Sequence, residues 1–467
     1  MEQPPRRVSG TVTVGRQKIG GAEPIAIQSM LSVPLSSESQ CLRQIEELLW
    51  AGCFLVRVAI PTARSLFDFE RIRRSIGCEN AAFIADLHFN GELALDALDV
   101  FEKVRINPGN FAGTLSGTLT RGENFFRREE EEVRTKAREF FRKAKRLGRA
   151  VRIGCNGGSI SARIRSQCGG GDGAMVSSAE EMVRWALEEN FEDLVLSFKC
   201  SSASKTIEVN RLARKRMDEL HCPFPFHLGV TEAGKGFCGR AAAAVAVGVL
   251  LSEGLGDTVR ISLTESPGAE VKFAKKLLKF CESSGMPSPI DRPEPVRLIG
   301  DETCGGDAIA RRVDGQFDGE DYLLHMAGAL LGTKNLRAVV LEAGPHLEER
   351  REIVESILQV CRWGKFFTEI ISCPTCGRTG YDVGAVADEV RRRLGSYPHL
   401  RIAVMGCSVN GVGEMGDAHY GCVGCGRGMV QLYRGGKRVG QAVPQEMAAA
   451  ALESLLKDAG EEAASET

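Results

Sequence analysis

Between residues 25 and about 284 the hydrophobic pattern alternates between two periods. Short β-branched runs begin near Ile25, Phe54, Ala81, Lys103, Ala150, Asp193, Pro225 and Asp257, and each predicts a buried strand. Between them lie longer stretches with apolar residues three or four apart. One example is Leu42, Ile45, Leu48 and Leu49, which predicts a helix ending at Gly52. Eight strand–helix alternations in roughly 260 residues fit a (β/α)₈, TIM-like barrel. A doubly wound open sheet is the competing fold, but no Gly-x-Gly-x-x-Gly follows the first strand to favour it. The run Ala241 to Leu251 is too short to span a bilayer and predicts a buried helix.

After the eighth helix, the proline-rich stretch Gly285 to Pro295 marks a linker. Residues 296–368 then read as a short inserted α/β segment that serves as scaffold. It has helical periodicity over Leu323 to Leu331 and Glu348 to Val360, with a strand over Leu336 to Leu341 between them. From residue 369 the pattern changes again. A strand runs into Cys373-x-x-Cys376, a helix covers Val383 to Leu394, and a strand covers Leu400 to Met405 and enters a glycine-rich loop. A hairpin through Gly435-Gly436 and a last helix complete an α+β unit to residue 458, and a polar tail expected to be disordered fills 459–467. The expected domains are therefore 1–284, 285–368 and 369–458.

Charge changes this picture only locally. The net charge of −1 over 467 residues gives no general attraction to nucleic acid or to an anionic membrane. The mouth of a barrel is another matter, because there the C-terminal ends of the strands carry the chemistry. Those ends supply Arg57, Asp86, His88, Arg105, Asn107, Arg152, Asn156, Lys199, Glu232, Arg260 and Ser262. Any one of these arginines reads equally well as a surface ion pair, and His88 as a structural histidine. Five long cations from five strands at one mouth would repel one another unless an anion compensates them. Guanidinium forks and a lysine suit phosphate oxygens. A phosphorylated substrate is expected.

Sixteen cysteines in a chain with no apolar signal segment behind Met1 to Arg7 predict reduced thiols and a soluble, cytoplasmic protein. Cys41, Cys53 and Cys281 fall within apolar patterns and are expected to be structural. Five others, Cys373, Cys376, Cys407, Cys422 and Cys425, crowd into about fifty residues rich in glycine. That density predicts a metal or iron–sulfur site. A zinc ribbon using Cys373/Cys376 and Cys422/Cys425 is the alternative, although 45 residues separate the pairs and Cys407 is left without a role. A thiol-redox pair is a third reading, weakened by the lack of a thioredoxin-like surround.

These residues also carry a resemblance. The segments IAIQSM, LVRVAIP, ADLHF, KVRINPGN, RIGCNGGS, HLGVTEAG, GLGDTVRISLTESP, ISCPTCGRT and MGCSVNGVGEMGDAHYG run through most of the chain. Together they resemble the 4-hydroxy-3-methylbut-2-en-1-yl diphosphate synthase family of the methylerythritol phosphate route to isoprenoids. The resemblance implies a [4Fe–4S] cluster held by Cys373, Cys376, Cys407 and an exchangeable Glu414. It implies reductive ring opening of 2-C-methyl-D-erythritol 2,4-cyclodiphosphate with electrons from ferredoxin or flavodoxin. Arg57, Arg105, Asn107, Arg152, Asn156, Lys199, Arg260 and Ser262 match the diphosphate-holding positions, and Glu232 matches a carboxylate that assists proton transfer. Residues 285–368 resemble the last part of the large extra domain of the family's long form. Short members are head-to-tail dimers, so a homodimer with shared active sites is expected. A barrel transferase similar to pterin-binding synthases, with a structural zinc module, is the alternative.

Overall fold

Alternation of apolar strands with amphipathic helices produces the expected barrel in the computed structural model. It describes residues 4–87, 91–111, 123–157, 160–289, 295–300, 310–312, 319–334, 336–341, 346–416 and 418–461. A hairpin of β1 (Val12–Val14) and β2 (Gln17–Ile19) precedes the barrel. The barrel strands are β3 (Ala26–Met30), β4 (Leu55–Ala59), β5 (Ala82–Asp86), β6 (Lys103–Ile106), β7 (Ala150–Asn156), β8 (Leu194–Lys199), β9 (His227–Leu228) and β10 (Thr258–Val259). All eight lie where the pattern places them. They pair in parallel in the order β8-β7-β6-β5-β4-β3-β10-β9, and a bridge between Leu196 and Phe226 closes the ring.

The β1–β2 hairpin is the element that the sequence pattern does not announce. Its strands are three residues long, too short to show a period. Val12, Val14 and Ile19 plug the barrel floor against Leu55, Ala82, Ile84, Ala150 and Val195. The working end is the other one.

The inserted segment adds β11 (Arg297–Gly300), β12 (Ala310–Arg312) and β13 (Ala338–Leu341), a parallel sheet in the order β11-β13-β12. Its helices Gly319–Leu331 and Leu347–Val360 pack on the barrel helix Gly236–Ser252. That packing explains the apolar run noted in the sequence. An outer barrel helix normally keeps a polar face toward water, yet every residue from Ala241 to Leu250 is buried here. Leu323, Leu330, Ile353 and Ile357 join the barrel's own hydrophobic core. Residues 319–360 are thus continuous with the barrel core.

The C-terminal unit is a five-stranded sheet of β14 (Glu369–Ser372), β15 (Arg401–Met405), β16 (Tyr420–Gly426), β17 (Met429–Arg434) and β18 (Lys437–Pro444), in that order. The first three strands are parallel and the last three antiparallel. Helices Val383–Leu394 and Ala448–Asp458 share a core with one face. The hairpin turns at Gly435 and Gly436, both with positive φ (52° and 76°), as a tight two-residue hairpin turn requires. The last helix ends at Asp458, and Glu461 just beyond it is held by two side chains. Its carboxylate accepts from Tyr420 Oη and faces His399 Nε2, each at 3.0 Å. Residues 462–467 lie outside the described residues.

Candidate active site where the two units meet

Parallel register brings the strand-end cations to one level: Arg105 stands beside Arg152, and Asn156 beside Lys199. Two glycines make room for the long side chains. A Cβ at Gly154 would sit 2.7 Å from Arg105 Nε, and one at Gly229 would sit 2.7 Å from Lys199 Nζ. The resulting cavity, about 110 Å³, is lined by Arg57, Arg105, Arg152, Lys199, Arg260 and Arg378. Two lining carboxylates, Asp86 and Glu232, oppose those six cations.

Each acid has a defined task. Asp86, at the end of β5, receives Arg57 at 2.7 Å and Arg105 at 3.4 Å from the barrel. It receives Arg378 from the C-terminal unit at 3.3 Å. Glu270, behind the wall, pairs with Arg260 at 3.2 Å and accepts from Ser29 Oγ and the Leu263 amide. Burial pulls Arg57 down to about 10, with Asp86 opposing, so it stays charged at neutral pH. Burial and the neighbouring Arg57 and Arg105 drive Arg152 the same way. Arg57 Nε and Arg152 Nε are buried donors with no partner among the described residues. Two carboxylates against six cations leave the cavity short of negative charge, and a polyanion supplies both charge and acceptors.

The opposite wall is built by cysteines. Cys373 follows β14, Cys376 lies in the next turn, and Cys407 caps the start of the helix Ser408–Glu414. All three line the cavity. The Gly406 amide donates to Cys373 Sγ at 3.1 Å, the kind of backbone donor that suits a bound sulfur. Burial pushes the Cys373 thiol well above its ordinary range, so a bound cation is what would hold it as thiolate. Among the described residues no three His, Cys, Asp or Glu side chains converge closely enough for a single metal ion. Three cysteines around a larger space suit a polynuclear group, whose irons each take their own thiolate.

The two walls are joined directly. Ala233 bridges in parallel to Ser372, so the loop after β9 lies along the edge of β14. Thr264 Oγ1 is 2.6 Å from Ser372 Oγ. Glu232, beside Ala233, takes a positive φ of 49°, a conformation uncommon for a non-glycine residue. It is 6% exposed and Cys373 lies within its electrostatic reach.

Of the residues singled out in the sequence, Arg57, Asp86, Arg105, Arg152, Asn156, Lys199, Glu232, Arg260, Ser262, Cys373, Cys376 and Cys407 meet in this cavity. Asn107 does not line it; its side chain caps the following turn, Oδ1 accepting from the Gly109 amide at 3.0 Å. His88 and the side chain of Glu414 lie outside the described residues. Arg378, two residues past Cys376, is the lining residue the sequence reading missed. Its signal was a cation in the Cys-x-x-Cys-Gly-Arg turn, legible as a ligand only once the two units are seen to touch.

The late cysteine pair of the zinc-ribbon reading does not line the cavity. Cys422 is fully buried in the sheet's helix-covered core, 3.9 Å from Tyr381 Oη, and Cys425 is exposed near the C-terminal end of β16. One chain brings its own cysteines to its own barrel, because the inserted segment runs along the barrel flank and delivers β14 to the rim.

Comparison with known proteins matches both halves. A family model described as the GcpE TIM-barrel domain covers residues 9–275, and one described as the GcpE protein C-terminal domain covers 369–458. The 4-hydroxy-3-methylbut-2-en-1-yl diphosphate synthase (flavodoxin) of Porphyromonas gingivalis is 31% identical over 98% of this chain and 98% of its own. The 4-hydroxy-3-methylbut-2-en-1-yl diphosphate synthase (ferredoxin) of Synechococcus sp. strain JA-3-3Ab is 33% identical over 98% of this chain and 92% of its own. The 7,8-dihydropteroate synthase structure from Vibrio fischeri covers 59% of this chain at 11% identity and a TM-score of 0.38, too distant to carry an argument. With both halves matched in order, and relatives aligned along almost their whole length, the chain belongs to the GcpE family.

Proposed function

We propose that this chain catalyses reductive ring opening of 2-C-methyl-D-erythritol 2,4-cyclodiphosphate to 4-hydroxy-3-methylbut-2-en-1-yl diphosphate. The observation that carries this reading is a single cavity with five cations on the barrel wall and, on the other, three cysteines beside Arg378. The reaction needs the same pair of features: a grip on a diphosphate and a source of electrons a short distance away. Cys373, Cys376 and Cys407 fit a [4Fe–4S] cluster, with Glu414 as its fourth ligand. Such a cluster, when bound, supplies the two electrons that the ring opening consumes.

The protein's own groups do the remaining work. Arg57, Arg105, Arg152, Lys199 and Arg260 fix the diphosphate and stabilise the charge that develops as the ring oxygen leaves with it. Asp86 holds Arg57, Arg105 and Arg378 in mutual register. Glu232, next to both walls, exchanges the proton that accompanies loss of a hydroxyl as water. The docked C-terminal unit narrows the cavity and excludes solvent, which strengthens each of these charges.

The names of the relatives point to a ferredoxin or a flavodoxin as electron donor, and a soluble setting suits such a partner. Among the described residues no helix is long and apolar enough to cross a membrane. The test is anaerobic: iron, sulfide and zinc determination on pure protein, then turnover of the cyclic diphosphate with a reduced donor. About four irons and four sulfides per chain with product formation supports the proposal. Stoichiometric zinc without sulfide, or no product from cluster-loaded protein, overturns it.

A further inference from the structure

One buried titratable group has no part in the scheme above. His227 lies on β9 at the barrel centre, fully buried. Its Nδ1 is 2.9 Å from Arg152 Nη1 and its Nε2 is 3.4 Å from Lys199 Nζ. It therefore stands between two of the cations assigned to the diphosphate.

The proton inventory of this trio is constrained. A guanidinium can only donate, so Nδ1 of His227 must accept and carry no proton. A doubly protonated ring is therefore excluded, and the ring's proton sits on Nε2. Nε2–H then faces Lys199, whose ammonium form has no acceptor to offer. The contact is satisfied when Lys199 is an amine, with its lone pair toward Nε2–H.

The surroundings favour the same state. Lys199 is faced by Arg152 from β7, Arg57 from β4, Arg105 from β6 and Arg260 just after β10. His227 is additionally faced by Lys103, a fully buried lysine whose Nζ has no partner among the described residues. On the acidic side of the cavity stand Asp86, already shared by three arginines, and Glu232. Cys373, Cys376 and Cys407 complete the lining. Burial and the crowding of cations press Lys199 and His227 toward their neutral forms.

We infer that His227 is a positioning residue that keeps Lys199 as a neutral amine until substrate arrives, and that binding of the diphosphate is coupled to uptake of one proton by that amine. A diphosphate brings two or more negative charges into a site with surplus positive charge, and reverses the electrostatic pressure on Lys199. The amine takes a proton from solvent, turns from Nε2 and donates to a phosphoryl oxygen. Arg152 remains anchored on Nδ1. No bond other than N–H is made or broken. Because the bound form holds one more proton than the free form, affinity falls as pH rises, by up to tenfold per pH unit, between the two values of Lys199.

This inference rests on the proposed substrate, and the experiment separates the two. Cluster-loaded, anaerobic protein without an electron donor is titrated calorimetrically with 2-C-methyl-D-erythritol 2,4-cyclodiphosphate in two buffers of different ionisation enthalpy, at about pH 8, below the ordinary lysine value of about 10.4. The phosphoryl oxygens of the cyclic diphosphate are already ionised there, so the ligand contributes no proton. Uptake of about one proton per site is expected. Lys199→Arg, which is charged throughout, should bind with uptake near zero. His227→Gln, which can accept from Arg152 and donate to Lys199, should keep the uptake. Wild-type binding without uptake overturns the inference, as does undiminished uptake in Lys199→Arg. Absence of any wild-type binding removes the proposed substrate and the inference with it.

Discussion

Arg378 of the C-terminal unit donates to Asp86 of the barrel twice, to the carboxylate at 3.3 Å and to the backbone oxygen at 2.6 Å. The residue that orients the barrel's arginines is therefore also the residue that receives the cysteine-bearing loop. Arg378→Ala should still assemble the cluster, although it removes a cation within electrostatic reach of Cys376 and Cys407. It should weaken docking by about 1.5–3 kcal/mol, the range for a charge-assisted bond. The expected readouts are faster proteolysis between the two units and a raised KM; an unchanged KM would remove Arg378 from the closing contact.

The cysteines make unequal predictions. Cys407→Ser should lose most of the bound iron, because Cys407 lines the cavity. Cys425→Ser should lose none, because that side chain is exposed at the end of β16. Cys422→Ser places a hydroxyl in the sheet's core and should lower stability by about 1–3 kcal/mol, with iron per folded chain unchanged. Iron and sulfide analysis with thermal unfolding distinguishes these outcomes. Equal iron loss in Cys425→Ser would assign that cysteine a ligand role.

Barrel cations should affect binding and leave the cluster spectrum alone. Arg57→Ala and Arg152→Ala are each expected to weaken binding of the cyclic diphosphate by about 1.5–3 kcal/mol, or tenfold to somewhat over a hundredfold. Equilibrium titration checks this. Full affinity in both variants would place the anion elsewhere.

Mixing two inactive variants tests whether the site belongs to one chain. Glu232→Gln disables the barrel wall and Cys407→Ala the other wall. Both walls come from the same chain here, so mixed assemblies of the two variants should stay inactive even when differently tagged chains co-purify. Recovery of activity on subunit exchange would show that the walls pair between chains.

Much of this was legible in the sequence because it was written in periods and spacings. Eight apolar runs located eight strands, and their C-terminal ends located Arg57, Arg105, Arg152, Lys199 and Arg260. Cys373 and Cys376 declared themselves by spacing. Residues whose meaning depends on a neighbour far along the chain were harder. Arg378 acquires a role from Asp86, 292 positions away. His227 lies inside a recognisable segment, yet only the closed barrel sets it between Arg152 and Lys199. Asn107 has a local role that the strand-end pattern does not show: an Asn ahead of Pro-Gly caps its own turn through Oδ1.

The single parallel bridge between Ala233 and Ser372 bears on how often the site is accessible. The closed cavity, about 110 Å³, is well below the roughly 300–1,000 Å³ usual for ligand pockets, so the substrate enters a form in which the units have parted. Parting breaks that bridge, the Thr264–Ser372 contact, the Arg378–Asp86 and Lys235–Asp388 pairs and the Arg401–Ser201 hydrogen bond, each at a net cost of about 0.5–3 kcal/mol. The receptive form is then a minority of molecules, and apparent affinity is lowered by the same fraction. Shielding a reactive centre from water is thus set against speed of capture, and the rim contacts fix where that balance lies.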